Sequence, residues 1–229
     1  PIYGFLAAFH NQEGYYNFVY QNGGTIITKD KKSGYDDPKT IEALEFYVKF
    51  IRDGLSPQIY GDAERAEALQ NGLVAMGLFG SWNLSGFTAN EFISENFDVA
   101  VLPKNTHRAS IYNGLGYAIA HNTKYPDEAW RFVEYLGSKE GQERQAELGV
   151  AISAYEGTAE KWISSNDKFN VKVFVDMVDY GVIRPYSKTT AVWEDKAYEA
   201  LRPAFTGEIS VEEAARNAAR IMNESLATE

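Results

Sequence analysis

The chain has 229 residues, 45% hydrophobic and 24% charged, enough to bury a sizeable core in one large domain or two small ones. Lys and Arg number 22 against 32 Asp and Glu, and the net charge of −10 argues against a nucleic-acid backbone as partner. Cysteine is absent, which excludes disulfides and thiolate chemistry, and no apolar run approaches the roughly 18 residues of a membrane span. Aromatic residues make up 14%, a share that suits an aromatic-lined cleft and a neutral ligand. The chain opens Pro1-Ile2-Tyr3-Gly4, with neither methionine nor a charged leader, and is expected to be a fragment or processed product.

Apolar and aromatic positions 5, 6, 9, 15, 16, 18 and 19 predict helical segments broken near Glu13-Gly14. Asn22-Gly23-Gly24 reads as a helix stop and turn, residues 25–28 as a short β-branched strand, and residues 29–35 as a solvated hairpin loop. Asp37-Pro38 opens the clearest helix: aspartate caps, proline takes the first position, and Ile41, Leu44, Tyr47, Val48 and Ile51 form one apolar stripe. A shorter helix from Asp62 runs to Asn71-Gly72. Residues 73–79 then form an apolar run of strand length closed by Gly72 and Gly80, the pattern of a strand buried on both faces. Gly80-Ser81-Trp82-Asn83 follows it at the expected rim of a sheet, where ligands sit in open α/β folds. Trp82 reads equally as a stacking platform for a sugar ring or as a plug between sheet and helix.

Residues 97–102 predict a strand stopped by Pro103, and residues 111–120 a second, glycine-interrupted strand. A helix from Pro126 to Gly137 turns Ala129, Trp130, Val133 and Leu136 inward, and a further short helix covers residues 138–147. Residues 169–180 read as a helix stopped by Gly181, and residues 190–205 as a helix distorted by Pro203. Ser210-Val211-Glu212-Glu213 is a capping box for a final helix. Helices dominate, with about five or six short strands and no internal repeat.

No catalytic motif stands out. His10, His107 and His121 are far apart and keep no ligand spacing, the acidic residues near position 30 lack calcium-loop spacing, and no metal or cofactor is expected. Gly114-Leu115-Gly116 lacks the third glycine of a dinucleotide fingerprint. Paired carboxylates for glycoside cleavage remain an alternative, although nothing singles out one pair. The chain does offer aromatic platforms beside polar groups: Glu13 with Tyr15 and Tyr16, Trp82 with Asn83, Asn113 with Gly114, and Tyr186 with Trp193. An aromatic face stacks on the C–H face of a sugar while carboxylates and amides bind its hydroxyls. For Tyr16 and Tyr186 a core-packing role stands beside that reading.

The order of motifs resembles the C-terminal part of the bacterial extracellular solute-binding proteins of family 1, the maltose-binding-protein-like sugar receptors of ABC importers. The matching pieces are Tyr20-Gln21-Asn22-Gly23-Gly24, then Asp37-Pro38 leading Ile41-Glu42-Ala43-Leu44-Glu45-Phe46, and Asn71-Gly72-Leu73-Val74-Ala75-Met76 running into Gly80-Ser81-Trp82. Phe97-Asp98-Val99-Ala100-Val101-Leu102-Pro103 and Asn113-Gly114-Leu115-Gly116-Tyr117-Ala118-Ile119 follow. Ala129-Trp130-Arg131-Phe132-Val133-Glu134-Tyr135-Leu136 and Ser138-Lys139-Glu140-Gly141 complete the series, which covers residues 1–229.

The resemblance implies an α/β, periplasmic binding protein type II-like fold, mainly the C-terminal lobe with the N-terminal-lobe portion largely missing. It implies residues 1–116 and 166–229 in the C-terminal lobe, with residues 117–165 an excursion into the N-terminal lobe. By motif position Glu13 and Tyr15 match the carboxylate and aromatic of the sugar site, and Trp82 and Trp193 the stacking tryptophans. Near residues 151–154 the family often carries Pro-Ala-Arg, and here the proline and arginine are absent. The implied function is an extracytoplasmic sugar or oligosaccharide receptor, periplasmic or a cell-surface lipoprotein, without catalysis. It would close on its ligand in an interlobe cleft and hand it to an ABC importer membrane permease. Alternatives are a receptor for a non-sugar solute, a carbohydrate hydrolase and an adhesin-like domain without ligand. A homodimer or swapped assembly is a further expectation, because an isolated lobe exposes an apolar face.

Overall fold

The structure is a computed structural model that describes residues 2–58 and 61–229, with the backbone alone at Asp62. The opening residues are extended where the apolar spacing at 5–9 predicts a helix. Tyr3 and Leu6 form parallel bridges with Val74 and Gly77, and their N–H groups donate to Leu73 O and Met76 O at 2.8 Å each. Backbone groups satisfied sideways in this way cannot also close helical turns. The expected break at Glu13-Gly14 is present: the turn Asn11–Tyr15 leaves helical torsions at both residues before α1 (Tyr16–Gln21) begins. A Cβ at Gly14 would lie 2.9 Å from the Tyr47 hydroxyl, so close packing keeps glycine there.

Residues 25–28 make an isolated antiparallel bridge, Ile27 to Ser33, rather than a strand, and Ser33, Gly34 and Tyr35 of the expected solvated loop are buried. In α2 (Pro38–Arg52), Asp37 accepts the Lys39 N–H at 2.8 Å, and Leu44, Tyr47, Val48 and Ile51 are buried as the stripe requires. Next comes α3 (Asp62–Gln70). The run 73–79 is not a strand buried on both faces. It holds only the bridges to Tyr3 and Leu6, and Met76 is 61% exposed. Partners on a single side leave the outward residues of an apolar run uncovered.

After α4 (Leu84–Ala89) and α5 (Glu91–Asn96), residues 97–102 carry no ladder. Asp98 instead accepts the Val99 and Asn170 N–H groups at 2.7 and 2.8 Å, a side-chain closure that replaces strand pairing. Only β1 (Ser110–Tyr112) of the expected strand 111–120 is paired, and residues 113–120 are exposed. Helix α6 (Pro126–Gly137) forms as expected but buries no residue, and Trp130 is 58% exposed rather than inward. Then come α7 (Lys139–Glu147), α8 (Ala159–Ser164) and α9 (Lys172–Asp176), the last extended by a turn at Met177–Tyr180. The helix over 169–180 is therefore shorter than its periodicity predicts.

Gly181 begins β2 (Gly181–Ile183), which pairs in parallel with β1 in the register Ile111–Val182. The sequence reading has no strand here, although two β-branched residues after a glycine carry a weak signal. The chain ends in α10 (Thr190–Thr206) and α11 (Val211–Leu226), joined through Gly207 in the left-handed region at φ +82°. The Ser210 hydroxyl accepts the Glu213 N–H at 3.1 Å, so Ser210→Ala is expected to cost about 1 kcal/mol in urea denaturation, as N-cap removal does.

Two compact units result. The first comprises Pro1–Phe79, Leu102–Tyr112 and Tyr180–Glu229, and the second Gly80–Val101 and Asn113–Asp179. The first holds the main core, in which Tyr15, Tyr16, Tyr47, Trp193, Leu201 and Met222 are fully buried among α1, α2, α10 and α11. The second has a smaller core that includes Phe87, Ile93, Trp162 and Met177, with Trp162 meeting Phe174 edge-on at 6.2 Å.

Candidate functional site

In the first unit Glu13 and Tyr16, expected to meet a ligand, are turned to other side chains of the protein. Glu13 pairs with Arg65 at 2.9 Å, with 8% and 4% of the side chains exposed, and Arg65 also donates to Leu78 O at 3.2 Å and lies over the Phe79 ring. The break before α1 is what aims Glu13 at α3. Tyr15 and Tyr16 are buried and stacked edge-on at 5.1 Å. The Tyr35 hydroxyl donates to the Tyr16 oxygen at 3.4 Å, and the Tyr16 hydroxyl to Glu194 at 3.3 Å. Glu194 in turn pairs with Arg184, whose guanidinium reaches Gln12 Oε1 at 3.4 Å. Burial is the main cause that pushes the Tyr15, Tyr16, Tyr35 and Tyr47 phenols well above their usual range, so all four stay neutral donors.

Trp193 is also a core side chain, and its indole N–H donates to Ser187 Oγ at 2.8 Å. The side chains of Glu13, Tyr15, Tyr16 and Trp193 thus present little surface to solvent and help frame the first unit. Tyr186 differs. It is 71% exposed, on the connection between β2 and α10, beside the buried Pro185.

In the second unit Trp82 stands in the short turn Ser81–Asn83 that feeds α4. Its six-membered ring lies against the Gly80 backbone, where an added Cβ would overlap the indole carbons. The ring is nevertheless 55% exposed, so one part is seated and the rest is open. Asn83 is half-buried and donates to Gly80 O at 3.2 Å, which ties the turn down. Asn113 and Gly114 are exposed, with nothing within 4 Å of a Cβ built on Gly114. Of the residues singled out from the sequence, Trp82, Asn113, Gly114 and Tyr186 are exposed and Asn83 is half-buried. Sequence reasoning misses Arg65, paired with Glu13 52 residues away, and the Arg184–Glu194 pair, which reaches Gln12 and Tyr16 172 and 178 residues away. Among the described residues no group of three or more His, Cys, Asp or Glu side chains is placed to hold a metal ion.

The many helices and the short parallel pairing of β1 with β2 make a mixed α/β fold. The sequence profile of the bacterial extracellular solute-binding proteins matches residues 1–143, and the chain belongs to that family. A curated binding protein of Brucella abortus strain 2308 is 26% identical over 162 residues, which span 67% of this chain and 39% of the relative. An ABC transporter solute-binding protein of Thermotoga lettingae TMO, solved with α-D-tagatose, superposes with a TM-score of 0.82 at 23% identity. It is matched over 98% of this chain and 60% of its own. The GacH receptor of Streptomyces glaucescens, solved unliganded and with acarbose, gives 0.82 at 20% identity, covering 99% of this chain and 60% of its own. The chain thus spans well under two thirds of the length of these relatives. No helix among the described residues is long and apolar enough to cross a membrane.

Proposed function

We propose that the chain supplies the ligand-binding surface of an extracytoplasmic receptor for a sugar or oligosaccharide, which it hands to the membrane permease of an ABC importer without chemical change. The observation that carries this reading is Trp82, a half-open indole seated on Gly80 at the start of a helix. An aromatic held by its backbone neighbour and open beyond it costs little to order when a sugar ring lands on it. In the second unit Asn83, Asn113 and the Gly114 backbone supply hydroxyl partners, and in the first unit the exposed Tyr186 offers an aromatic face of its own. Membership of a solute-binding family supports the reading, as do fold relatives solved with tagatose and with acarbose. The reading takes residues 117–165 as the excursion into the N-terminal lobe; they lie within the second unit, which also holds residues 80–101, 113–116 and 166–179. An extracytoplasmic setting, periplasmic or lipid-anchored, follows from the same reading.

The test is a fluorescence titration of the intact protein with mono- and oligosaccharides. Trp82→Ala is expected to weaken binding of the responding sugar by about tenfold, the scale of one lost aromatic stack, while leaving the melting temperature unchanged. Gly80→Ala should give part of that loss, because the added methyl displaces the indole from its seat. Absence of any saturable response in the unsubstituted protein favours a non-sugar receptor or an adhesin, and sugar cleavage favours a hydrolase.

A further inference from the structure

Tyr186 stands on a connection that hydrogen bonds tie down residue by residue. The Ser187 N–H donates to Thr190 Oγ1 at 2.7 Å, and the Thr190 hydroxyl donates back to Ser187 O at 2.8 Å. From α10 the Trp193 indole donates to Ser187 Oγ. From beyond α11, a single oxygen of the Glu229 carboxylate accepts the Ser187 hydroxyl at 2.5 Å, the Thr189 hydroxyl at 2.6 Å and the Thr189 N–H at 2.8 Å. Ser225 adds a hydrogen bond to Thr189 Oγ1 at 3.1 Å. Such convergence is unusual for an exposed carboxylate. The Ser187 and Thr189 donors hold its carboxyl down to about 2, so it is anionic at any physiological pH.

We propose that Glu229 is a positioning residue for Tyr186: its carboxylate clamps residues 187–189 and so holds the tyrosine ring in place before a ligand arrives. The proposal rests on the sugar-receptor reading of the exposed aromatics. An aromatic on an untied loop would have to be ordered by the sugar itself, and that ordering is taken out of the affinity. No other side chain reaches both Ser187 and Thr189 from outside the connection in the described contacts.

The experiment uses the intact protein with maltose and D-tagatose as probes, read by calorimetry, alongside amide hydrogen exchange over residues 185–190. Glu229→Ala is expected to speed exchange at Thr189 and to weaken probe binding by about tenfold. Glu229→Gln, which keeps one acceptor oxygen and loses the charge, should fall between. Tyr186→Ala should add little further loss in the Glu229→Ala background, because both act through one ring. A merely structural tie would instead leave the two losses additive, and that result overturns the proposal. So does unchanged exchange at Thr189, or full affinity despite faster exchange. If the unsubstituted protein binds neither these probes nor any other mono- or oligosaccharide, the sugar reading fails and the role of Tyr186 with it. A connection that still loosens in Glu229→Ala then marks Glu229 as a structural tie alone.

Discussion

Trp193→Ala is expected to lower the unfolding free energy by about 3–5 kcal/mol, the range for emptying a buried Trp or Phe site. The indole is fully buried among α1, α2, α10 and α11, and its N–H is spent on Ser187. Truncation therefore removes a large packed volume and one anchor of the Tyr186 connection together. Urea denaturation of the first unit's signal checks the cost, and Trp193→Phe should recover most of it because volume outweighs the single hydrogen bond. A Trp193→Ala protein of unchanged stability would mean that the ring is exposed in solution and free to meet ligand.

Arg65→Ala is the second large effect, again about 3–5 kcal/mol, because it leaves the Glu13 carboxylate buried without its cation. The pair is nearly sealed from water and Arg65 also holds Leu78 O. Breaking it strips three linked segments, 13, 65 and 78, of their common tie. Glu13→Gln should cost less, since a neutral amide can still accept from the guanidinium. In a double-mutant cycle the two losses are expected to fall short of additivity by more than about 1 kcal/mol. Additive losses with unchanged sugar affinity would dissolve the pair as a structural element. A loss of sugar binding in Glu13→Gln at full stability would return Glu13 to the ligand.

The elements with strong local signals were readable from residue types. Asp37-Pro38 with its apolar stripe specifies α2, Ser210 caps α11, and the interruption at Glu13-Gly14 sits where the torsions of these two residues leave the helix. The short strands were harder. Three paired residues in β1 and three in β2 carry too little periodicity, and the residues they pair with lie some seventy positions apart, as the pairing of Ser110 with Gly181 shows. The run 97–102 has strand composition and no strand, because Asp98 supplies a cheaper local partner for the backbone.

The site divides in the same way. Residue type and order mark Trp82 and Tyr186, like Tyr15, Tyr16 and Trp193, as aromatics beside polar groups, and Gly80 marks the turn that carries Trp82. Local pattern also determined helices α2, α6, α7, α10 and α11, the absence of thiol chemistry and the membership of a solute-binding family, since each rests on neighbouring residues or on motif order. Which aromatics face solvent is not a local property. Tyr15 and Trp193 have the same composition around them as an exposed platform, yet helices 1, 2, 10 and 11 close over both. Glu13 meets Arg65 rather than solvent because the fold brings α3 to the turn before α1. Burial and ion pairing depend on which distant segments arrive at a residue, and only the tertiary structure decides that.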